Sequence, residues 1–261
     1  YDALGGSIAG GEYNVAIGNY SLDANTTGDY NVGVGYNTLS SNTTGGSNTA
    51  LGKGTLEDNT SGSGNTGVGY LALTNNTSAS HNTAIGNGVL SYNTTGASNT
   101  GMGYNPLSSN TTGSRNLGIG YGALDGSDTE SDNFAIGYNA LGGSIAGGEM
   151  NVAIGNYSLD ATTSGDNNTA TGYDALTGNT SGANNTALGY DAGDVITTGS
   201  QNTIIGSGAD PSANSGSNQT VIGYGAAGHG DNIAVIGNTS TTAWHPADDN
   251  GVDLGSSSYE F

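Results

Sequence analysis

The sequence predicts an all-β fold, a parallel β-solenoid or β-roll of about 14 coils with a 17-residue period. Three observations predict it. A Gly recurs at Gly18, Gly35, Gly52, Gly69, Gly86, Gly103, Gly120 and Gly137, every step being 17. After one step of 18 the series continues at Gly155, Gly172, Gly189, Gly206 and Gly223, and Gly237 follows after 14. An Asn stands four residues earlier in the first twelve copies: Asn14, Asn31, Asn48, Asn65, Asn82, Asn99, Asn116, Asn133, Asn151, Asn168, Asn185 and Asn202, with Gln219 in the thirteenth. Finally, helical repeats are excluded by content and by length. The 49 Gly residues are spread throughout, Gly in a helix interior costs about 1 kcal/mol relative to Ala, and common helical repeats need about 33–47 residues.

Each period then supplies its elements in order. In "NVAIG", Val15 and Ile17 share one strand face and Asn14 and Ala16 the other, because side chains alternate along a strand. The first face is β-branched or long in most copies (Val32/Val34, Thr83/Ile85, Phe134/Ile136), and the second is small (Ala16, Gly33, Ala50, Gly67, Ala84). A Leu follows four residues after the Gly, from Leu22 and Leu39 to Leu159 and Leu176, until Gly193 breaks that column. The Leu is expected to lie on a second short strand, and N-T-T-G to form a turn. Stacked coils convert each column into a ladder with rungs about 4.8 Å apart, so 14 coils predict a rod of about 70 Å. Stacked Asn amides are expected to hydrogen-bond up such a ladder. The Gly columns fit turns that need positive φ.

Composition alone points elsewhere. Leu, Ile, Val and Phe make up 41 of 261 residues and the net charge is −20, values that in a non-repetitive chain indicate disorder. Repetition changes that, since each coil templates the next. One Ile-like and one Leu-like residue per coil still cannot fill an ordinary core. The small face can line a thin coil, and the larger face then needs a partner from outside the chain. We therefore expect an oligomer. Residues 1–31 match residues 138–168 at 26 of 31 positions, which reads as a block duplication. The sequence starts inside a repeat, so a longer parent protein is expected. The organisation is a repeat shaft over 1–237 and a transition or cap segment over 238–261. No run of 18 apolar residues is present, so no membrane insertion is expected.

"NVAIGNYSLDANTTGDYNVGVG" (Asn14 to Gly35) resembles the head repeats of trimeric autotransporter adhesins, with their S-V-A-I-G-like core. The period here is 17 instead of about 14, with N-T-T-G as the extra loop. The resemblance implies a left-handed parallel β-roll and a homotrimer in which three chains share their Ile/Val columns around one axis. "HPADDNGVDLGSSSYEF" (His245 to Phe261) resembles the segment that precedes the intramolecular chaperone of bacteriophage tail fibres. The matching residues are Asp249, Asn250, Asp253, Leu254, Gly255, Ser256, Ser257, Ser258, Tyr259 and Phe261. A polar C-terminal cap is the alternative, with Trp244 covering the last coil.

Catalytic chemistry has little to work with. There is no Cys, and His81, His229 and His245 are scattered, without metal-ligand spacing. Lys53 and Arg115 are the only basic residues, which rules out a nucleic-acid partner, since that role needs many cations. Neither an enzyme nor a cofactor is expected. One acidic turn, with Asp125, Asp128, Glu130 and Asp132, replaces N-T-T-G in its coil. A solvated loop is the favoured reading, and the alternative is a Ca²⁺ site, which its carboxylates would suit although the EF-hand spacing is absent. The residue after the Gly is Tyr in eight copies: Tyr36, Tyr70, Tyr104, Tyr121, Tyr138, Tyr173, Tyr190 and Tyr224. This row suits stacking on sugar rings or on a protein, or simply packing along the ladder. The N-x-[ST] triplets read as a turn ladder.

The function expected from these features is a structural segment of a bacteriophage tail fibre in the virion, supporting attachment to a host-cell glycan or protein. The second expectation is the head of a bacterial trimeric adhesin on the cell surface. A third, ice binding, rests on the row Thr26, Thr43, Thr60, Thr77, Thr94 and Thr111.

Overall fold

The computed structural model describes residues 3–5, 10–143 and 147–241. Fourteen strands follow in sequence: β1 (Val15–Ile17), β2 (Val32–Val34), β3 (Thr49–Leu51), β4 (Thr66–Val68), β5 (Thr83–Asn87), β6 (Thr100–Tyr104), β7 (Leu117–Ile119), β8 (Phe134–Ile136), β9 (Val152–Ile154), β10 (Thr169–Thr171), β11 (Thr186–Leu188), β12 (Thr203–Ile205), β13 (Thr220–Ile222) and β14 (Ala234–Ile236). They form one 14-stranded parallel sheet in strict chain order. Val15 pairs with Val32 and Thr83 with Thr100, one period apart. The 18-residue step is absorbed between β8 and β9, where Phe134 still pairs with Val152. The fold is thus a parallel β-solenoid of about 13 turns. Among the described residues there is no helix, and none is long and apolar enough to cross a membrane.

The second residue of each strand points into the coil, and the residues on either side of it point outward. Ala50, Ala84, Ala135, Ala153, Ala170 and Val221 are fully buried, as is the Leu column from Leu22 to Leu176. The core is therefore narrow, one small residue facing one Leu per turn. Where Gly193 interrupts the Leu column, Ile196 and Ile204 are fully buried, and both lie within 4 Å of where a Cβ on Gly193 would sit. The lost Leu volume is refilled from two other columns, as close packing requires.

The expected second strand is not there. The segment around each Leu is a turn, and Leu39, Leu56, Leu90 and Leu107 have φ of 52–53°. A strand needs negative φ. Left-handed backbone costs a β-carbon residue about 1–2 kcal/mol, and the fully buried Leu side chain offsets it. The Leu N–H still joins a ladder, since Leu22 N–H donates to Thr38 O (2.9 Å) and Leu56 N–H to Ala72 O (3.0 Å). Gly86, which closes β5's core motif, has φ +136°, and a Cβ there would fall on the Gly103 carbonyl. Successive coils touch through backbone at that column, so the residue must be Gly.

Candidate functional site

The solenoid offers three side-chain ladders and one acidic turn. The Asn column that precedes the strands is buried from Asn31 to Asn202. Its side-chain oxygen does not accept mainly from the next amide, as the sequence led us to expect. It accepts from the next backbone: Asn82 N–H donates to Asn65 Oδ1 (2.9 Å) and Asn99 N–H to Asn82 Oδ1 (2.8 Å). The amide nitrogen crosses the coil instead, Asn82 Nδ2 donating to Gly96 O (2.9 Å). Amide-to-amide bonds occur at some rungs, such as Asn48 Nδ2 to Asn31 Oδ1 (3.1 Å).

A second Asn ladder was hidden in the N-T-T-G turn. Asn25, Asn42, Asn59, Asn76, Asn93 and Asn110 are fully buried. Asn42 Nδ2 donates to Asn25 Oδ1, and the pattern repeats from Asn59 to Asn42 and from Asn76 to Asn59, each at 2.8 Å. The two columns meet at one acceptor, for Gly45 O receives both Asn42 Nδ2 (2.9 Å) and Asn31 Nδ2 (2.8 Å). Burial also closes these Asn side chains to glycosylation. The strict recurrence of N-T-[TS] was the available signal, and classifying it as a turn obscured it.

The acidic turn does not gather its four carboxylates. Among the described residues no group of three or more acidic or His side chains converges as a metal site. Asp132 forms a two-pronged ion pair with Arg115 (2.6 and 2.7 Å), which holds its carboxyl below the usual range. Glu130 is buried and folds back on its own turn, accepting from Asp128 N–H and Thr129 N–H (3.0 Å each). Asp128 accepts from the Thr111 hydroxyl. Asp125 is half-buried, and burial together with Asp160 pushes its carboxyl up.

The tyrosine row lies on the outside. Tyr104, Tyr121 and Tyr138 stack in series, with centroids 5.2 and 4.9 Å apart and planes within 9°. Tyr173 and Tyr190 stack at 5.6 Å. Tyr157 bridges the two runs edge-on, at 5.3 Å from Tyr138 and 5.8 Å from Tyr173. Tyr36 meets Tyr20 edge-on, Tyr70 lies under the Lys53 ammonium, and Tyr224 is 77% exposed. Both faces of Tyr121 are covered by rings, so a sugar cannot stack there; only ring edges and hydroxyls face outward.

No protein-family model, curated protein or solved structure matches this chain. Its function is therefore argued from its own geometry. The remaining surface feature is the sheet itself. Leu51, Met102, Ile154, Leu188 and Ile236 stand outward from their strands and are 37–50% exposed, one above another in register. The segment His245 to Phe261, with Trp244, lies outside the described residues.

Proposed function

We propose that the chain is a shaft segment of a bacteriophage tail fibre, a homotrimer of parallel, in-register rolls that supports attachment to a host-surface glycan or protein. The outward apolar column carries this reading. Thirteen steps of about 4.8 Å make a stripe about 62 Å long, of Val, Leu, Ile and Met at every rung except Thr171. Long apolar stripes of that kind mark association surfaces. Two further copies would cover it, each placing the same column at a common axis, and association would add the burial that one thin core lacks.

The ending that resembles tail-fibre sequences supports a virion location over the second reading, a trimeric adhesin head on a bacterial surface. The ice-binding reading is disfavoured by the threonine row, whose hydroxyls are turned into the ladder: Thr26 Oγ1 donates to Thr43 O and Thr60 Oγ1 to Thr77 O, each at 2.9 Å. No catalytic role is proposed. Antibodies against the chain should decorate virion fibres in electron micrographs. Decoration of a bacterial cell surface instead would move the assignment to the adhesin, and thermal hysteresis in solution would restore ice binding.

A further inference from the structure

The tyrosines meet in two geometries. Tyr13 and Tyr30 lie parallel, with centroids 5.0 Å apart and planes within 6°. Tyr104, Tyr121 and Tyr138 are parallel at 5.2 and 4.9 Å, and Tyr173 and Tyr190 at 5.6 Å. The contacts of Tyr20 with Tyr36, and of Tyr157 with Tyr138 and Tyr173, are edge-on. Spacing explains the division. Members of every parallel pair stand 17 residues apart, whereas those of the edge-on pairs stand 16 or 19 apart. A parallel pair therefore occupies one column on two successive coils, and an edge-on pair joins two columns.

The division has a chemical consequence. Two parallel rings that leave one column set hydroxyl beside hydroxyl and ortho carbon beside ortho carbon. In an edge-on pair the rim of one ring faces the π-surface of the other. A tyrosine that loses one electron and its hydroxyl proton becomes a phenoxyl radical, with the unpaired electron shared by the oxygen and the ortho carbons. Two such radicals side by side join through carbon. All seven tyrosines of the parallel contacts are exposed, so an oxidant reaches them. The chain has no Cys, hence no thiol of its own to reduce the radical first.

We propose that the four parallel contacts are sites of oxidative cross-linking, at which hydrogen peroxide and a haem peroxidase join tyrosines of successive coils as dityrosine. Peroxide takes one electron and one proton from each of two phenols and leaves as two waters. The two ortho carbons form one bond, and each ortho hydrogen moves to the oxygen of its own ring, which restores both phenols. The product has lost two hydrogen atoms and ties one coil covalently to the next. The bond lies within one chain and does not depend on the fibre reading.

The test is oxidation of the folded full chain by a haem peroxidase and hydrogen peroxide at micromolar chain concentration, then cleavage before Asp and peptide mass mapping. Tyr173 and Tyr190 fall on separate peptides, 166–173 and 174–190. The two are expected joined and lighter by two hydrogen atoms. Tyr190→Phe should remove that link and leave the Tyr13–Tyr30 link, in a chain whose circular dichroism is unchanged. Tyr92 and Tyr224 are the control. They are 62% and 77% exposed, more than Tyr173 or Tyr190, yet among the described residues no ring lies beside them, and they should stay out of links within the chain. Oxidation in denaturant should scatter the links over many pairs. Three results would overturn the sites: no dityrosine in the folded chain, links led by Tyr92 and Tyr224 or by the edge-on pairs, or one pattern shared by folded and unfolded chains.

Discussion

At Asn82 one substitution separates a buried rung from a merely repetitive surface. The side chain accepts Asn99 N–H and donates to Gly96 O. Asn82→Leu adds apolar surface but leaves the Asn99 N–H buried and unpaired, a loss of about 1–3 kcal/mol. Gly96 O keeps a second donor, Asn93 Nδ2 (2.9 Å), so the penalty centres on one group. Thr95, exposed and without a side-chain hydrogen bond among the described residues, is the matched control, and Thr95→Ala should cost about 0.5 kcal/mol or less. Ser80, an apparent turn residue in the sequence, would not serve, because its hydroxyl accepts Ser63 N–H (3.0 Å). Denaturant unfolding in which Asn82→Leu and Thr95→Ala are equally mild would remove the buried rung. The Asn82 column was legible because nothing but a repeated need keeps one polar residue in twelve consecutive copies. Its partners were not legible, since a column gives the rung and not the atom. The left-handed Leu was illegible for a related reason: an apolar column reports burial, and burial is equally compatible with a strand or a turn.

The coil tolerates change only when its columns change together. Asn110 Oδ1 is buried without a partner because the next rung holds Ser127, which has no amide. In the same turn Glu130 stands where the other coils place a small residue, and its carboxylate reaches the N–H groups beside Ser127. Restoring one without the other should fail. Ser127→Asn alone crowds the Glu130 carboxylate, whereas Ser127→Asn with Glu130→Gly rebuilds the repeat and gives Asn110 its donor. The double variant should be about 0.5–1.5 kcal/mol more stable than the parent and the single variant less stable, as read by thermal unfolding. The acidic side of the coils adds a pH response. Burial, then Asp194, raises the Asp210 carboxyl to about 6, against an ordinary value near 3.9. The fold therefore favours the protonated form. That contribution is complete below about pH 4 and is lost as pH rises through about 6. Asp125, Asp160 and Asp174 are raised in the same sense, each first by burial. The melting temperature should be higher at pH 5 than at pH 7, and Asp210→Asn should reduce that difference. A melting temperature that falls on acidification from 7 to 5 would contradict the geometry of this pair.

For the whole molecule, the period, the strand sites and the narrow core were readable from the columns, because a solenoid maps sequence period directly onto space. The partner for the outward face was not, since a column says what leaves water but not which surface covers it. The outward residues decide the matter experimentally. Leu51 is 47% exposed in the single chain. If that face is bathed in water, Leu51→Asp changes a surface position and should cost about 0.5 kcal/mol or less. If three copies meet there, the substitution places three carboxylates beside one axis, buried and with little cationic charge to balance them, since Arg115 is paired with Asp132 and Lys53 lies over the Tyr70 ring. Breaking charge balance in a buried setting is strongly destabilising, and like charges add their own repulsion. The expected result is that the parent chain sediments at three times the 25.6 kDa chain mass at micromolar concentration, while Leu51→Asp and Met102→Asp chains shift to smaller species. A variant in the exposed N-T-T-G turn, Thr44→Asp, changes charge equally but leaves the strand face intact and should sediment as the parent does. A parent chain that sediments as a folded monomer, with Leu51→Asp no less stable than Thr44→Asp, would show that the apolar stripe faces water and would remove the basis for the trimer.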